Sequence, residues 1–124
     1  LVQLRLLRPY PVAAIRAALA GKGAVAAIDQ NLSMGMGGVL HAELASALYG
    51  IPGAPPILAS FVGGLGGRDI SAEEFYAIAD DLQQAIANGV APEPSLLYTD
   101  AELRQHRGLQ AIAMTEREEI EART

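Results

Sequence analysis

The groups in this chain best able to act on a ligand are two glycine-rich loops and the arginine that follows the second of them. Gly35, Met36, Gly37 and Gly38 stand between an apolar run, residues 24–29, and a helical pattern that opens at Val39. Such a loop can offer backbone N–H groups to a phosphate, because glycine lets the main chain approach closely and a helix N-terminus favours an anion. The known phosphate fingerprints are broken, however. Leu40 holds the place of the third glycine of the dinucleotide pattern, and Pro55 and Pro56 stand about twenty positions on, where its acidic residue belongs. No Gly-Lys-Ser/Thr follows either. A tight strand-to-helix turn that needs a positive φ accounts for the same glycines.

In the second loop, residues 63–70 (GGLGGRDI), Gly66 and Gly67 let the chain lie flat against another surface, and Arg68 can grip a carboxylate or phosphate with two parallel hydrogen bonds. Asp69 falls near the start of a helix, where a carboxylate is favoured. The alternative is an Arg68–Asp69 pair that locks the loop or forms an interdomain contact. Arg8, on a rigid Arg-Pro-Tyr-Pro exit, can reach an acidic partner or can be simple punctuation. Asp29, Gln30 and Asn31 follow a strand, where ligands bind in parallel sheets, and turn hydrogen bonds explain them equally well. His41 and His106 stand at no recognisable spacing from a carboxylate or nucleophile. The adjacent pairs Glu73/Glu74 and Asp80/Asp81 point to different helix faces and read as solvated charges, so no catalytic residue and no metal site is assigned.

The elements that position these loops follow from periodicity. Residues 1–7 (LVQLRLL) read as a strand that ends at Pro9. Pro11 opens a helix whose face is Val12, Ile15 and Leu19, and Gly21 and Gly23 end it. Residues 24–29 (AVAAID) read as a buried parallel strand. A helix over 39–49 carries Leu40, Leu44 and Leu48 on one face, and residues 57–62 (ILASFV) form a third strand. Ser71 with Glu74 is a capping box for a helix that runs to about Asn88 and stops at Gly89. Its apolar face is Phe75, Ile78, Ala79, Leu82 and Ile86.

Strand–helix alternation of this kind predicts a parallel sheet covered on both faces. Three strands leave two bare edges, so further strands in a parent chain or a covering partner are expected. Pro92 and Pro94 read as a linker. Thr99 with Glu102 can start a short helix and Thr115 with Glu118 another, and residues 115–124 read as a solvated helix or as disorder. The domain thus spans 1–90, with 91–124 as linker and tail.

The 124 residues suit one domain, and the first, Leu1, already sits in a strand pattern, so a fragment of a longer chain is expected. Nine basic and fourteen acidic residues give a formal charge of −5. That balance argues against a nucleic-acid surface, which needs a basic stripe, and against a polybasic membrane anchor. No apolar run is long enough for a membrane span. Cysteine is absent, which excludes disulfides and thiolate-bound zinc or iron–sulfur clusters within this chain. A soluble, cytoplasmic protein is the expectation.

Three runs carry a resemblance to a known family: RLLRPYP at 5–11, AVAAIDQNLSMGMGG at 24–38 and FVGGLGGRDIS at 61–71. In this order and spacing they resemble core domain II of pyruvate:ferredoxin oxidoreductases, found at the C-terminal end of the α-subunit in multi-subunit forms. GLGGRDI is the most specific run, and the resemblance covers residues 1–90.

It implies an α/β fold, a three-layer α/β/α sandwich with a mostly parallel sheet similar to the transketolase C-terminal domain, here N-terminally truncated by one strand and helix. It implies a parent enzyme with thiamine diphosphate and iron–sulfur clusters, held in other domains or subunits. That enzyme decarboxylates a 2-oxoacid oxidatively, forms an acyl-CoA and passes electrons to ferredoxin. Pyruvate is favoured, because relatives acting on 2-oxoglutarate or branched oxoacids usually differ in the GLGGRDI loop. No catalytic or cofactor-binding residue carries over. The loops of Gly35, Gly37, Gly38, Gly66, Gly67 and Arg68, with Arg8 and Asp69, are then interdomain and intersubunit packing surfaces. The competing readings are a stand-alone nucleotide- or anion-binding module and a purely structural domain kept from an enzyme ancestor.

Overall fold

The computed structural model describes residues 1–33 and 37–98, and beyond these 101, 102, 104, 105, 108, 111 and 112. Its first helix, α1 (Val12–Leu19), turns Ile15 and Leu19 inward, one helical turn apart. Strand β1 (Ala24–Asp29) is short-chained and almost wholly apolar, as a strand covered on both faces must be. Helix α2 (Val39–Leu48) follows, with Leu44, Ala47 and Leu48 buried. Strand β2 (Ile57–Val62) then pairs parallel to β1, Ala24 opposite Ile57 through to Asp29 opposite Val62.

The pleat divides the sheet between two cores. Ala27 faces Ile15, Leu19, Leu44 and Leu48, with Leu4, Tyr10, Val25, Leu40 and Leu58 around them. Ala59 and Phe61 face Ile78 of α3 (Ala72–Asn88), with Ala26, Ile28, Leu82 and Leu97 around them. Helices α1 and α2 therefore cover one face and α3 the other, an α/β fold in three layers with an all-parallel open sheet. The Arg16 guanidinium ties the first two helices together by donating to the Ala47 carbonyl at 2.7 Å.

The predicted capping box is present in both halves. Glu74 N–H donates to Ser71 Oγ at 3.3 Å, and Ser71 N–H donates to the Glu74 carboxylate at 2.8 Å. Gly89 ends the helix in the left-handed region, φ 71°. Ser71→Ala is expected to lower stability by about 1 kcal/mol, read as a shift of the urea midpoint at unchanged slope.

Two expectations are corrected. Residues 1–7 form no strand: composition supplies strand propensity, but a strand exists only where a neighbour accepts its hydrogen bonds, and the segment runs as coil past β1. The third strand is instead β3 (Ser95–Leu96), read from the sequence as linker, which pairs parallel to β2. Leu97 N–H extends that pairing to the Val62 carbonyl at 2.8 Å.

The apolar face of α3 also sits differently from its prediction. Ile78 is buried and Leu82 half-buried, but Ala79 is exposed, and Phe75 and Ile86 keep 44% and 53% of their surface in water. Residues 101, 102, 104 and 105 are helical, near the short helix expected from Glu102. His106 and the helix expected over 115–124 lie outside the described residues.

Candidate functional site

Both glycine loops lie at the carboxyl ends of β1 and β2, where parallel sheets bind ligands, and this chain's own side chains fill that rim. Asp29, the last residue of β1, is 8% exposed and accepts from Leu40 N–H with one carboxylate oxygen. Its other oxygen accepts from the Asn31 amide at 2.8 Å. Asn31 in turn accepts from Val39 N–H at 3.1 Å. The carboxylate that ends the preceding strand and an amide two residues beyond it thus satisfy the first free N–H groups of α2 and sit at its positive end.

Gly38 makes the arrangement possible. A Cβ there would lie 2.6 Å from Asp29 Cβ, closer than atoms pack. A Cβ on Gly37 would meet Ser60 Oγ at 3.3 Å and Pro94 at 3.8 Å, so the segment leading to β3 packs over this turn. Gly35 lies outside the described residues.

The second loop begins beneath this rim and ends outside it. Leu97 Cδ1 lies 2.8 Å from the place of a Cβ on Gly63, so the chain after β3 covers that position as well. The tight turn Leu65–Gly67 projects further. Gly66 and Gly67 take φ of +70° and +84°, the left-handed region, with nothing within 4 Å of a Cβ on either, and Leu65 between them and β2 is exposed.

Arg68 closes the turn. Its Nη2 donates to Glu74 at 2.8 Å, and its Nε donates to Glu102. The guanidinium therefore bridges the first turn of α3 to the C-terminal segment. Its Nη1 is buried and meets no partner among the described residues. Asp69, the partner considered from the sequence, is exposed. Arg8 pairs with Glu43 of α2 at the surface.

These contacts set the charges. Burial pushes the Glu74 carboxyl up, but the Arg68 hydrogen bond and the Ser71 backbone N–H outweigh it and hold the group below its ordinary value. Hydrogen bonds to Glu74, then Glu102, raise Arg68 further. A depressed carboxyl contributes stability above its unfolded value and loses it as pH falls through the folded one. Stability should therefore decline from about pH 5 downward. Glu74→Gln should flatten part of that decline, measured by urea unfolding across the acid range.

Chemically, Arg68 between two carboxylates leaves a local excess of negative charge, and the N-terminus of α2 already holds a carboxylate. Neither place suits a phosphate, so the nucleotide- or anion-binding module is not favoured. Among the described residues no three His, Asp or Glu side chains gather as metal ligands, and no described helix is long and apolar enough to cross a membrane. The sequence reading set Asp29 and Asn31 after a strand, where Asp29 is in fact its last residue, and missed their partner. The signal was available: an Asp-x-Asn ahead of a helix start that lacks a capping side chain of its own. The pairing of Arg68 with Glu102, 34 residues away, left no local signal.

The architecture is that of a parallel α/β domain with helices on both faces. The model of the pyruvate:ferredoxin oxidoreductase core domain II family matches residues 1–75, and the chain belongs to that family. It is 32% identical over 96 residues to ketoisovalerate oxidoreductase subunit VorA of Pyrococcus furiosus, covering 77% of this chain and 24% of the relative. The corresponding subunit of Pyrococcus abyssi is 36% identical over 87 residues, 70% of this chain and 22% of the relative. Pyruvate synthase subunit PorA of Thermotoga maritima is 35% identical over 80 residues, 64% of this chain and 20% of the relative. The chain thus spans about a quarter of the length of the curated relatives it matches, or less.

Proposed function

We propose that this chain is a domain of a 2-oxoacid:ferredoxin oxidoreductase subunit and that its work there is assembly rather than chemistry. The family match over residues 1–75 carries the reading, and relatives named as a ketoisovalerate oxidoreductase subunit and a pyruvate synthase subunit agree with it. The parent enzyme would take a 2-oxoacid and CoA to an acyl-CoA and carbon dioxide, passing two electrons to ferredoxin. Relatives named for ketoisovalerate and for pyruvate both match. The substrate class is therefore a 2-oxoacid, and the relatives leave both a branched acid and pyruvate within it.

Thiamine diphosphate and iron–sulfur clusters belong to such an enzyme, and the residues of this chain do not fit either group. It has no cysteine to bind iron, and its α2 N-terminus is filled by Asp29 and Asn31. Both groups would sit in other domains or subunits of a cytoplasmic complex.

The surface offered to those neighbours is the projecting turn: exposed Leu65, the open Gly66 and Gly67, and exposed Asp69 beside Arg68. Affinity purification of the full-length subunit should recover thiamine- and cluster-bearing partners and 2-oxoacid- and CoA-dependent reduction of a viologen dye. Pyruvate and ketoisovalerate should be compared as substrates. A subunit recovered alone and inactive with both acids contradicts the reading. Leu65→Asp should shift stability by no more than about 0.5 kcal/mol, as exposed substitutions do, yet sharply reduce partner recovery.

A further inference from the structure

Residues 93–98 cross the strand-tip end of β2 and are held there lightly. Both residues of β3 are exposed, and the register that sets Ser95 beside Phe61 brings Pro94 alongside Ser60. A proline there has no N–H to add to the ladder. Leu97 is half-buried against the Phe61–Ile78 cluster, and its N–H donates to the Val62 carbonyl at 2.8 Å. Further on, Glu102 accepts from Arg68 Nε. The chain that leads in turns at Gly89, φ 71°, and runs exposed through Val90 and Ala91.

Two polar groups at this crossing have lost water without gaining a partner. Ser60 is 2% exposed, and its hydroxyl meets no hydrogen-bond partner among the described residues. It lies beneath the turn on which Pro94 packs, since a Cβ on Gly37 would meet both Ser60 Oγ and Pro94. Nη1 of Arg68, the residue that holds Glu102, is likewise buried without a partner among the described residues. Native proteins pair nearly all such groups, so each orphan disfavours the arrangement that buries it. The core of Ile15, Leu19, Ala27, Leu44 and Leu48 takes no contact from this segment.

We propose that residues 93–98 are a strap over the strand-tip rim, latched by Arg68 on Glu102 and able to open while the rest of the domain stays folded. Opening breaks the Leu97–Val62 and Arg68–Glu102 bonds and returns Ser60 Oγ and Arg68 Nη1 to water. Arg68 is the positioning residue of the latch, and its bond to Glu74 at 2.8 Å keeps it in place when the strap lifts. Closed, the strap shuts the end of the sheet at which parallel folds bind ligands. It lies past residue 75, where the match to the family model ends.

Residue-resolved hydrogen exchange on the purified full-length subunit tests this, with the Leu97 amide reporting the strap. The reference is the Phe61 amide: Gly63 N–H donates to the Asp29 carbonyl, and alternation along β2 turns the Phe61 N–H toward β1 in the same way. Leu97 should exchange at least about a hundredfold faster than Phe61, at a rate that rises little in dilute urea, because a local opening exposes little surface. Ile15→Val in the far core should speed Phe61 about two- to tenfold and leave Leu97 unchanged, since open and closed forms share that core. Glu102→Ala should speed Leu97 by about three- to tenfold. Ser60→Ala should slow it by a similar factor, because the closed form then strands one polar group fewer. Leu97 and Phe61 exchanging within about tenfold of each other, or speeding together in Ile15→Val, means that strap and core open only as one unit and overturns the proposal. Leu97 exchange unmoved by Glu102→Ala, or faster in Ser60→Ala, overturns it equally.

Discussion

Phe61→Ala is expected to cost about 3–5 kcal/mol, the range for removing a fully buried aromatic side chain, and to leave the chain largely unfolded in the absence of stabilising partners. Phe61 is 1% exposed, and in its cluster with Ala59 and Ile78 it is the one large ring. Truncation opens the cluster against which Leu82 and Leu97 pack, so it loosens α3 and the residue after β3 at once. Small domains commonly hold only about 5–15 kcal/mol in total, so a loss of this size is a large fraction of what there is. Urea unfolding followed by far-ultraviolet circular dichroism gives the number. Phe75→Ala is the control: the same kind of ring lies 44% exposed on α3, and its loss in the isolated chain should cost about 1 kcal/mol or less. Equal losses from the two variants would mean that α3 does not pack as described.

Gly38→Ala is expected to cost about 2–3 kcal/mol through overpacking, although alanine is ordinarily a mild change. Backbone conformation is not the cause, since Gly38 sits at φ −79° in the extended region. The cause is contact: the new Cβ would fall 2.6 Å from Asp29 Cβ and 2.9 Å from its Cγ, on a strand that cannot retreat. Either α2 moves off the sheet or Asp29 releases the N–H of Leu40. Gly66→Ala separates this from a general intolerance of glycine substitution. There the strain is in φ alone, with open space around the site, and the cost should be about 1 kcal/mol. Combining Asp29→Gly with Gly38→Ala should recover more than about 1 kcal/mol relative to additivity, the signature of two residues in contact. Additive losses would remove the steric argument.

Much of the architecture is encoded locally. The bounds of β1, β2 and α3, the Ser71–Glu74 box and the Gly89 stop were all legible, because hydrophobic period and capping chemistry act within a few residues of chain. The misses share a different character. Residues 1–7 have strand composition without a paired neighbour, and Ser95–Leu96 has a paired neighbour without strand composition, held as it is between Pro94 and the end of β2. Strand formation depends on who lies alongside, and no window of sequence contains that information.

The candidate site divides along the same line. Its residue types were visible: glycines that free the chain, an arginine, and polar groups beyond a strand. Their partners were not, because Arg68 with Glu74 and Glu102, and Asp29 with the first N–H groups of α2, are pairings between separated segments. The sequence alone determined the α/β class, the lack of thiolate ligands, and the family, through short runs whose order and spacing survive in one dimension. Only the tertiary structure decided that the strand-tip rim is filled by the chain's own carboxylate, proline and leucine, and that the apolar stripe of α3 stays partly in water. Occupancy and coverage are properties of volume, and they are settled when distant segments compete for the same space.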